Sequence, residues 1–453
     1  EEPFSFAFRA NSILIDNKDP SLVYKKVGDN LKEAYLYAST NYFPPSGKMP
    51  PDIFFLAPQY NTWMELTYNQ NQKDILKYAN AIIDNGMPPG IIMIDDNWQE
   101  DYGSWNFHSE RFPNPHKMVK ELKRLGFDIM LWVCPFVSPD SKIYRELLKR
   151  NVFMMEKNGE PAMIRWWNGV SAELDLTRSE GVEWFKGELN ILRNEFGIDG
   201  FKFDAGESWY YTNSNVVGAN LKLTKGVSSL DHTKLFSAIG LDYPYNEYRT
   251  TWKMGGQPLV QRLADKGHSW EDLRSLIPQM LLEGIMGYPF SCPDMIGGGW
   301  FLDFVKNKNI DQELVVRSAQ IHALMPMMQF SMAPWRILDK KHFLAVLDAI
   351  QLRNKFKTLI LDLAKNAAVS GEPIVRSMEY VFPFNGFADI TDQFMLGDNI
   401  LIAPYLKKGE GKRKVIIPDG KWQSDEGIKI EGGRIIEIEV PINRLPYFAK
   451  MKN

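Results

Sequence analysis

From about residue 52 to residue 380, short apolar runs rich in β-branched and aromatic residues alternate with amphipathic stretches of helical period. This alternation constrains the fold more than any other feature, because it is typical of parallel strands joined by crossover helices. Eight such runs fit a (β/α)8 barrel, an α/β fold, better than an open sheet. We predict strands near residues 52–57, 90–95, 127–133, 200–203, 259–263, 285–288, 325–329 and 373–376.

The chain after residue 380 follows a different pattern. Apolar and polar residues alternate there, most clearly at residues 434–440, where Ile436 and Ile438 would face one way. That period of two predicts a half-buried antiparallel sheet. We therefore expect a barrel domain at residues 51–380 and a C-terminal β-sandwich domain at residues 381–453. The first fifty residues are also strand-like, but they are too few to bury a sheet of their own.

A long segment separates the third and fourth predicted strands. It runs from about residue 138 to residue 198 and contains Trp166 and Trp167. Its length exceeds what one crossover helix requires. We expect this segment to make an excursion over the mouth of the barrel.

Charge and hydropathy exclude several classes of protein. The 53 Lys and Arg against 56 Asp and Glu give a net charge of −3, so binding to nucleic acid is not expected. No membrane span is expected, because no uninterrupted run of about 18 apolar residues occurs. The only cysteines, Cys134 and Cys292, are expected to be buried thiols rather than a disulfide framework. The chain begins at Glu1 without a signal-like segment, which suggests a processed or cloned fragment and leaves the compartment open.

Charged residues gather at the ends of the predicted strands. The functional site of a barrel lies at the C-terminal ends of its strands, so polar residues directly after apolar runs are the candidates. One such carboxylate is more often a helix cap or an ion-pair partner. Several on one rim are harder to explain structurally, because neighbouring like charges raise one another's pKa at a cost in stability. The candidates are Asp95, Asp96, Lys202, Asp204, Arg262, Asp265 and Asp294, with Trp132 at the end of the third run and His322 near the seventh.

Paired carboxylates with aromatic neighbours favour glycoside chemistry, in which one carboxyl attacks the anomeric carbon and the other protonates the leaving oxygen. A zinc hydrolase is disfavoured, because the six histidines include no His-x-His pair and no His-Glu-x-x-His spacing. The sequence also has no Gly-x-Ser-x-Gly nucleophile elbow and no Gly-rich phosphate loop. A non-catalytic carbohydrate-binding protein and a transglycosidase stay open as alternatives. No metal or organic cofactor is implied.

These segments resemble glycoside hydrolase family 31, a group of retaining α-glycosidases with a (β/α)8 barrel. The stretch DGFKFDAGE at residues 199–207 resembles the family's nucleophile strand, which implies that Asp204 is the nucleophile. Residues 261–270 resemble the segment that ends in the acid/base, which implies that role for Asp265. GYPFSCPDMIGG resembles the family's sixth-strand segment, and DQFMLGDNILIAPYL at residues 392–406 resembles the stretch that leads into its C-terminal β-sandwich.

Lys202 narrows the substrate that the resemblance implies. Family members acting on α-glucosides usually carry Trp at this position, whereas the α-xylosidase branch and the myogenesis-regulating glycosidase branch carry Lys. PQYNTW, KFDAGE and YPFSCPDMIGG are most similar to the latter branch, for which α-galactosidase activity is implied. The resemblance thus favours an oligosaccharide or other α-glycoside as the bound partner, with α-galactoside before α-xyloside and α-glucoside. That substrate class suggests a periplasmic or extracellular location.

The family's large N-terminal β-sandwich is mostly absent from this sequence, since barrel-like sequence begins near residue 52. Residues 1–50 are therefore expected to be a remnant of that sandwich. Either the chain was trimmed or a separate N-terminal domain supplies the missing part.

The implied roles place requirements on protonation. Asp204 must be ionised to attack, and Lys202, on the same face of the strand, is expected to lower the pKa of that carboxyl. Asp265 must stay protonated, which requires a drier or more negative setting. The two carboxyl groups are expected to lie about 5–6 Å apart in a retaining enzyme. Arg262 is expected to contact a sugar hydroxyl or to hold Asp265.

The remaining candidates each have a sugar-binding and a structural interpretation. Asp95 and Asp96 can accept hydrogen bonds from vicinal hydroxyls, or one of them can cap the next turn. Asp294 can accept from a hydroxyl or pair with an arginine. Trp132 can offer a face to the sugar or pack in the core, and His322 can contact a hydroxyl or be a satisfied core histidine.

Overall fold

The structure of the chain is a computed structural model that describes residues 6–9, 12–16, 22–218, 220–306 and 310–452. Eight parallel strands form its centre, paired in chain order, and the last strand pairs with the first. A parallel bridge between Met295 and Gln329 brings the end of the seventh strand to the eighth, so the sheet is nearly closed. The predicted (β/α)8 barrel is therefore confirmed. The strands are β1 Gln59–Asn61, β2 Ile91–Ile94, β3 Asp128–Val133, β4 Gly200–Phe203, β5 Tyr245–Tyr248, β6 Gln261–Arg262, β7 Ser291–Cys292 and β8 Gln329–Phe330.

Amphipathic helices cover the barrel. At the start of the helix Gln72–Asp84, the Asn71 side chain accepts a hydrogen bond from the Asp74 amide, and Ile75 and Ile82 are buried along the helix. A capped start and a buried stripe at helical spacing explain why such segments become helices. None of the described helices combines the length and the apolar composition that crossing a membrane requires. The longer helices are Leu31–Tyr42, Gln72–Asp84, Pro115–Arg124, Lys142–Arg150, Ser179–Phe196, Ser229–Ile239, Trp270–Ile285, Gln312–Ala323 and Lys340–Ser370. The shorter ones are Ile53–Leu56, Trp63–Leu66, Ser208–Tyr211, Asn213–Asn215, Gly240–Asp242, Phe301–Lys306, Pro334–Ile337 and Met378–Val381.

The segment between β3 and β4 makes the excursion that its length predicts. Its strands Met163–Trp166 and Gly169–Glu173 form a hairpin, and the second strand pairs with Phe136–Val137 just after β3. The strand Met155–Glu156 pairs with Leu221–Lys222, which ties the excursion to residues beyond β4. The excursion therefore lies at the C-terminal end of the barrel. A further hairpin follows β2 and has the strands Gln99–Asp101 and Ser104–Phe107.

Antiparallel sheets form the C-terminal domain, as the alternation predicts. The strand Arg434–Val440 pairs with Gly411–Ile417, and a buried cluster that includes Met395, Trp422 and Phe448 forms the core of this domain. The C-terminal antiparallel domain is confirmed, whereas the division of the chain at residues 50 and 380 stays a prediction. The other C-terminal sheet contains Val375–Arg376, Phe394–Leu396, Ile400–Ile402, Tyr447–Lys450, Lys421–Ser424 and Lys429–Glu431, and an N-terminal antiparallel sheet contains Phe6–Arg9, Ser12–Asp16 and Leu22–Lys26.

Three of the predicted barrel strands are wrong. Residues 52–57 contain the helix Ile53–Leu56, and residues 285–288 begin at the last residue of the helix Trp270–Ile285. Residues 373–376 contribute to the antiparallel C-terminal sheet instead of the barrel. A short apolar run fits the period of a helix as well as that of a buried strand, so its tertiary neighbours decide which one forms.

The strand β5 escapes prediction because it has no apolar run. Asn246 and Glu247 stand between Tyr245 and Tyr248, and both polar side chains are buried. Glu247 Oε2 accepts a hydrogen bond of 2.8 Å from the Gln329 amide in β8. Internal partners such as this one allow polar residues to occupy a barrel strand, so the hydrophobic pattern does not reveal it.

Gly200 in β4 and Gly187 in the helix Ser179–Phe196 provide a matched test of packing. A Cβ at Gly200 would lie 1.9 Å from the Tyr245 carbonyl oxygen, whereas a Cβ at Gly187 would have nothing within 4 Å. We expect Gly200→Ala to lower the free energy of unfolding by about 1–3 kcal/mol, because β4 and β5 must separate. Gly187→Ala should raise it by about 0.5–1 kcal/mol, because alanine loses less backbone freedom in a helix. Urea unfolding of both variants measures the shifts, and shifts of the same sign would contradict this packing.

Candidate active site

The C-terminal ends of the strands bring most of the predicted candidates together. Asp95 and Asp96 follow β2, Asp204 follows β4, Asp265 follows β6 and Asp294 follows β7. Each of these carboxylates is tied to another part of the rim by a side-chain contact to a cation or to a neutral donor. Among the described side chains, no group of His, Cys, Asp and Glu is arranged to hold a metal ion. The rim is therefore a network of buried carboxylates and cations.

Asp204 is held as an ionised carboxylate. Its Oδ2 accepts a hydrogen bond of 2.9 Å from the Trp132 indole nitrogen, and its Oδ1 accepts one of 3.1 Å from the Ala205 amide. Arg249 Nη1 lies 3.5 Å from the same Oδ1. Burial alone would raise the pKa of Asp204, but Arg249, Lys202 and other nearby positive charge outweigh burial and lower it. Trp132 is itself fully buried, so it fixes the orientation of Asp204 through its N–H.

Lys202 pairs with Asp95 inside the barrel mouth. Its Nζ donates to Asp95 Oδ2 at 2.6 Å, and the Asn61 side-chain amide donates to the same oxygen at 2.8 Å. Burial disfavours the charged lysine, but Asp95 compensates, and the pKa of Lys202 is raised overall. The ammonium is therefore retained, and it contributes to the low pKa of Asp204.

Arg249 links three carboxylates at the centre of the site. Its Nη2 donates to Asp265 Oδ2 at 2.6 Å, Nη1 lies 3.5 Å from Asp204, and Nε lies 3.8 Å from Glu207 Oε1. The guanidinium also lies over the ring of Trp167, with its carbon 5.1 Å from the ring centroid. Asp204 and Asp265 thus face the same guanidinium.

Arg262 holds the other side of Asp265. Its Nη1 donates to Asp265 Oδ1 at 2.9 Å and to Asp294 Oδ1 at 2.5 Å. Asp294 is fully buried, and its second oxygen accepts a hydrogen bond of 2.8 Å from the Lys266 amide. The structure thus gives Asp294 the arginine-pairing arrangement of the two considered from sequence.

The expectation that the surroundings of Asp265 keep it protonated is wrong. Burial would raise the pKa of this carboxyl, but Arg262 and Arg249 together hold it well below its usual range. From the sequence, Arg262 is the arginine expected beside Asp265. The second arginine, Arg249, follows a strand that the hydrophobic pattern does not show.

Asp96 and Glu207 have raised pKa values, in contrast to Asp204 and Asp265. Asp96 Oδ2 accepts hydrogen bonds from the Asn168 amide at 2.7 Å and from the Tyr102 hydroxyl at 3.1 Å, so all its side-chain partners are neutral. Burial and the neighbouring Asp95 raise the pKa of Asp96 to about 7. Burial also raises the pKa of Glu207 to about 7, and Arg249 only partly offsets it.

The structure does not bring His322 to this site. His322 lies buried in the helix Gln312–Ala323, which precedes β8. Burial and the nearby positive charge of Arg353 lower the pKa of His322 to about 3. Arg353 donates to the carbonyls of Phe55 and Met325, which come before β1 and β8, so this region lies at the N-terminal end of the barrel. Of its two interpretations, the core histidine matches this position.

Several residues of the site are missing from the candidates found by sequence. Arg249 directly follows β5, and Asn61 is the last residue of β1. Such strand ends are the signal that identifies the aspartates, but the hydrophobic pattern shows no strand at β5 and predicts β1 too early. Glu247 faces Arg262 Nε at 3.6 Å from within β5. Asn168 reaches Asp96 from the excursion, and no pattern in the sequence indicates that contact.

The raised pKa of Asp96 predicts how the stability of the fold depends on pH. Its folded pKa of about 7 lies above its ordinary value, so the folded state binds this proton more tightly than the unfolded state. The resulting stabilisation is present below about pH 4 and is lost as the pH rises towards 7. We expect the unmodified chain to lose about 2–4 kcal/mol of unfolding free energy relative to Asp96→Asn between pH 4 and pH 7.

Asp204→Asn is the control for this measurement. The folded pKa of Asp204 is lowered, so its contribution to stability is present above its ordinary value and lost only as the pH falls through the folded value. The difference between the unmodified chain and Asp204→Asn should therefore change much less between pH 5 and pH 7 than the difference for Asp96→Asn, with only a small contribution from Glu207, whose pKa Asp204 helps to raise. Urea unfolding at three pH values measures both differences, and a flat difference for Asp96→Asn would rule out its raised pKa.

Comparisons with known protein families match nearly the whole chain. The description "Glycosyl hydrolases family 31 TIM-barrel domain" matches residues 48–356, and "Glycosyl hydrolase family 31 C-terminal domain" matches residues 371–452. The myogenesis-regulating glycosidase of Mus musculus is 33% identical over 446 residues, which cover 95% of this chain and 61% of that protein. Alpha-glucosidase 2 of Bacillus thermoamyloliquefaciens is 25% identical over 438 residues, which cover 89% of this chain and 53% of that protein. The chain thus spans between half and two thirds of the length of these relatives.

A solved structure shares the fold. The Flavobacterium johnsoniae GH31 dextranase complexed with glucose superimposes with a TM-score of 0.84 at 20% identity. The match covers 99% of this chain and 59% of the dextranase chain. At this level of identity the likeness supports the barrel and the C-terminal domain rather than a substrate.

Proposed function

Because the chain belongs to glycosyl hydrolase family 31, we propose that it is a retaining exo-α-glycosidase in which Asp204 is the nucleophile and Asp265 the acid/base. The observation that carries this proposal is the shared guanidinium of Arg249, which contacts both carboxylates. A retaining mechanism requires its two carboxyl groups to lie close together across the reacting carbon, about 5–5.5 Å apart.

The contacts of Asp204 suit the first chemical step. An ionised Asp204 oxygen attacks the anomeric carbon, the bond to the leaving oxygen breaks, and Asp265 gives its proton to that oxygen. Hydrogen bonds from Trp132 and the Ala205 amide hold the attacking carboxylate in one orientation. In the second step Asp265 takes a proton from water, the water oxygen attacks the same carbon, and Asp204 is released.

The protonation of Asp265 is the step that needs a cause. Two arginines hold the carboxyl ionised in the free enzyme, so we propose that substrate binding raises the pKa of Asp265. A neutral sugar that excludes water from this rim increases the desolvation of Asp265 and favours its protonated form. Substrate binding and proton uptake by Asp265 are therefore coupled in this proposal.

Among the possible sugars we propose α-galactoside first. Lys202 and the 33% identity to a myogenesis-regulating glycosidase support this order. Asp95, Asp96 and Lys202 are the proposed contacts to the hydroxyls of the reacting sugar, while Trp132, Arg262 and Asp294 position the two catalytic carboxylates. An α-xylosidase is the second candidate, because Lys202 is also typical of that branch of the family.

Release of nitrophenol from nitrophenyl α-galactoside, α-xyloside and α-glucoside tests both the activity and the sugar preference. We expect Asp204→Asn to lower kcat/KM for the preferred sugar by a thousandfold or more, a loss of about 4 kcal/mol in transition-state stabilisation. Asp84→Asn makes the same chemical change at an exposed position on the helix Gln72–Asp84 and should keep full activity. Nuclear magnetic resonance should show the α anomer as the first product.

Two outcomes would count against this proposal. A β anomer as the first product would mean inversion, which excludes a covalent intermediate on Asp204. Equal activity of Asp204→Asn and the unmodified chain would remove the proposed nucleophile. Comparison of free sugar with transfer products separates hydrolysis from transglycosylation.

The position of Arg249 between two carboxylates predicts how its replacement changes the pH profile of kcat/KM. Its positive charge lowers the pKa of both Asp204 and Asp265. We expect Arg249→Met to move both limbs of the profile to higher pH by about one unit or more, because each carboxyl loses a nearby cation. Arg249→Lys keeps the charge and should shift the limbs less. Limbs that do not move, or a shift of one limb alone, would contradict a guanidinium shared by the two carboxylates.

A further inference from the structure

A row of aromatic rings begins at Arg249, whose guanidinium lies over Trp167. We define this aromatic wall as Trp167, Tyr210 and Trp209. The ring centroids of Trp167 and Tyr210 lie 6.2 Å apart, and those of Tyr210 and Trp209 lie 5.8 Å apart. Phe136 supports the wall from behind, since it packs edge-on against Tyr210 at 5.4 Å. The two indoles therefore pack on either side of one tyrosine ring.

The two indoles of the wall face solvent. Trp167 is 44% exposed and Trp209 is 54% exposed, whereas Tyr210 between them is buried. The main chain at Trp209 is nevertheless fixed, because its carbonyl accepts hydrogen bonds of 2.6 Å from both the Thr212 hydroxyl and the Asn215 amide. An indole held on a fixed main chain and left in water keeps a large apolar face available to a ligand.

The wall begins where the leaving group of the proposed reaction must start. Arg249 contacts Asp265 at 2.6 Å and lies over Trp167, so the wall adjoins the proposed acid/base. The side chain of Asp265 is 20% exposed against 8% for Asp204 and 4% for Asp95, so Asp265 is the outermost of these carboxylates. In the proposed reaction Asp265 protonates the oxygen of the leaving group, which therefore lies on the solvent side, toward Trp167.

We infer that the aromatic wall is a binding site for a second sugar ring, which forms the leaving group of the substrate. A pyranose ring has an apolar C–H face that stacks on an indole and polar edges that stay in contact with water. The inference rests on the proposed function and adds to it that the substrate is a disaccharide or a longer oligosaccharide. In that complex the second ring covers Trp209 and the outer face of Trp167.

A second aromatic group on the rim is less suited to this role. Trp63, Tyr68 and Phe301 pack edge-to-face around one another, with centroids 5.2–6.1 Å apart, so they occupy one another's faces. Neighbouring Trp300 is 47% exposed and is outside the wall. Trp300→Ala is therefore a matched control for Trp209→Ala.

Calorimetry tests the wall without requiring turnover. In the Asp204→Asn background we would measure the binding of galactose, xylose and glucose and of α-linked disaccharides that begin with each of these sugars. We expect the second ring to tighten binding at least tenfold for the preferred sugar. Trp209→Ala should reduce that gain in affinity to threefold or less and leave the affinity for the monosaccharide unchanged. Trp209→Phe should restore part of the gain, and Trp300→Ala should keep all of it.

Turnover of two substrates completes the test. The two substrates are an α-linked disaccharide and the glycosyl fluoride of the same preferred sugar. With Asp204 intact, Trp209→Ala should lower kcat/KM for the disaccharide at least tenfold. The same variant should change kcat/KM for the glycosyl fluoride less than twofold, because fluoride is too small to reach the wall. The inference is overturned if the second ring gives no gain in binding, if Trp209→Ala preserves the gain, or if Trp300→Ala removes it instead. A gain that depends on Trp209 in a chain that hydrolyses neither substrate supports the wall and overturns the proposed function.

Discussion

Two arginines allow several carboxylates to be buried close together at the mouth of this barrel. Arg249 contacts Asp204 and Asp265, and Arg262 contacts Asp265 and Asp294. Leaving one partner of a buried ion pair uncompensated costs about 3–5 kcal/mol. The loops after β4, β5, β6 and β7 therefore have to place their charged residues together, and the position of each loop depends on the others.

The strands of the barrel deliver the central part of this network through their register. Lys202 in β4 is the partner of Trp132 in β3 and of Glu247 in β5, so a cation, an indole N–H and a carboxylate stand at one level. Side chains two residues apart on a strand point to the same side, so Asp204 follows Lys202 toward the barrel axis. The Trp132 indole then reaches Asp204 from the neighbouring strand.

The barrel and its acidic rim could be predicted because both depend on local patterns, namely alternation of elements and charges at strand ends. The contacts within the rim could not, because they join residues far apart in the chain. β5 has polar buried residues, so Arg249 had no strand to mark its position. Trp132 and His322 are both apolar-flanked, yet the first bonds to Asp204 and the second lies at the opposite end of the barrel. Only the tertiary neighbours separate these two cases.

The same neighbours decide which carboxylates carry charge. Burial by itself raises the pKa of Asp96, Asp204, Glu207 and Asp265, and the combined positive charge of nearby arginines and Lys202 reverses that shift for Asp204 and Asp265. Asp96 has neutral donors, and Glu207 lies 3.8 Å from Arg249, so both keep a pKa of about 7. A neutral sugar adds desolvation but no charge, so it acts most on the carboxyl that is still partly exposed, which is Asp265. In the reaction that we propose, substrate binding thus moves Asp265 toward its protonated form while Asp204, already buried, stays ionised.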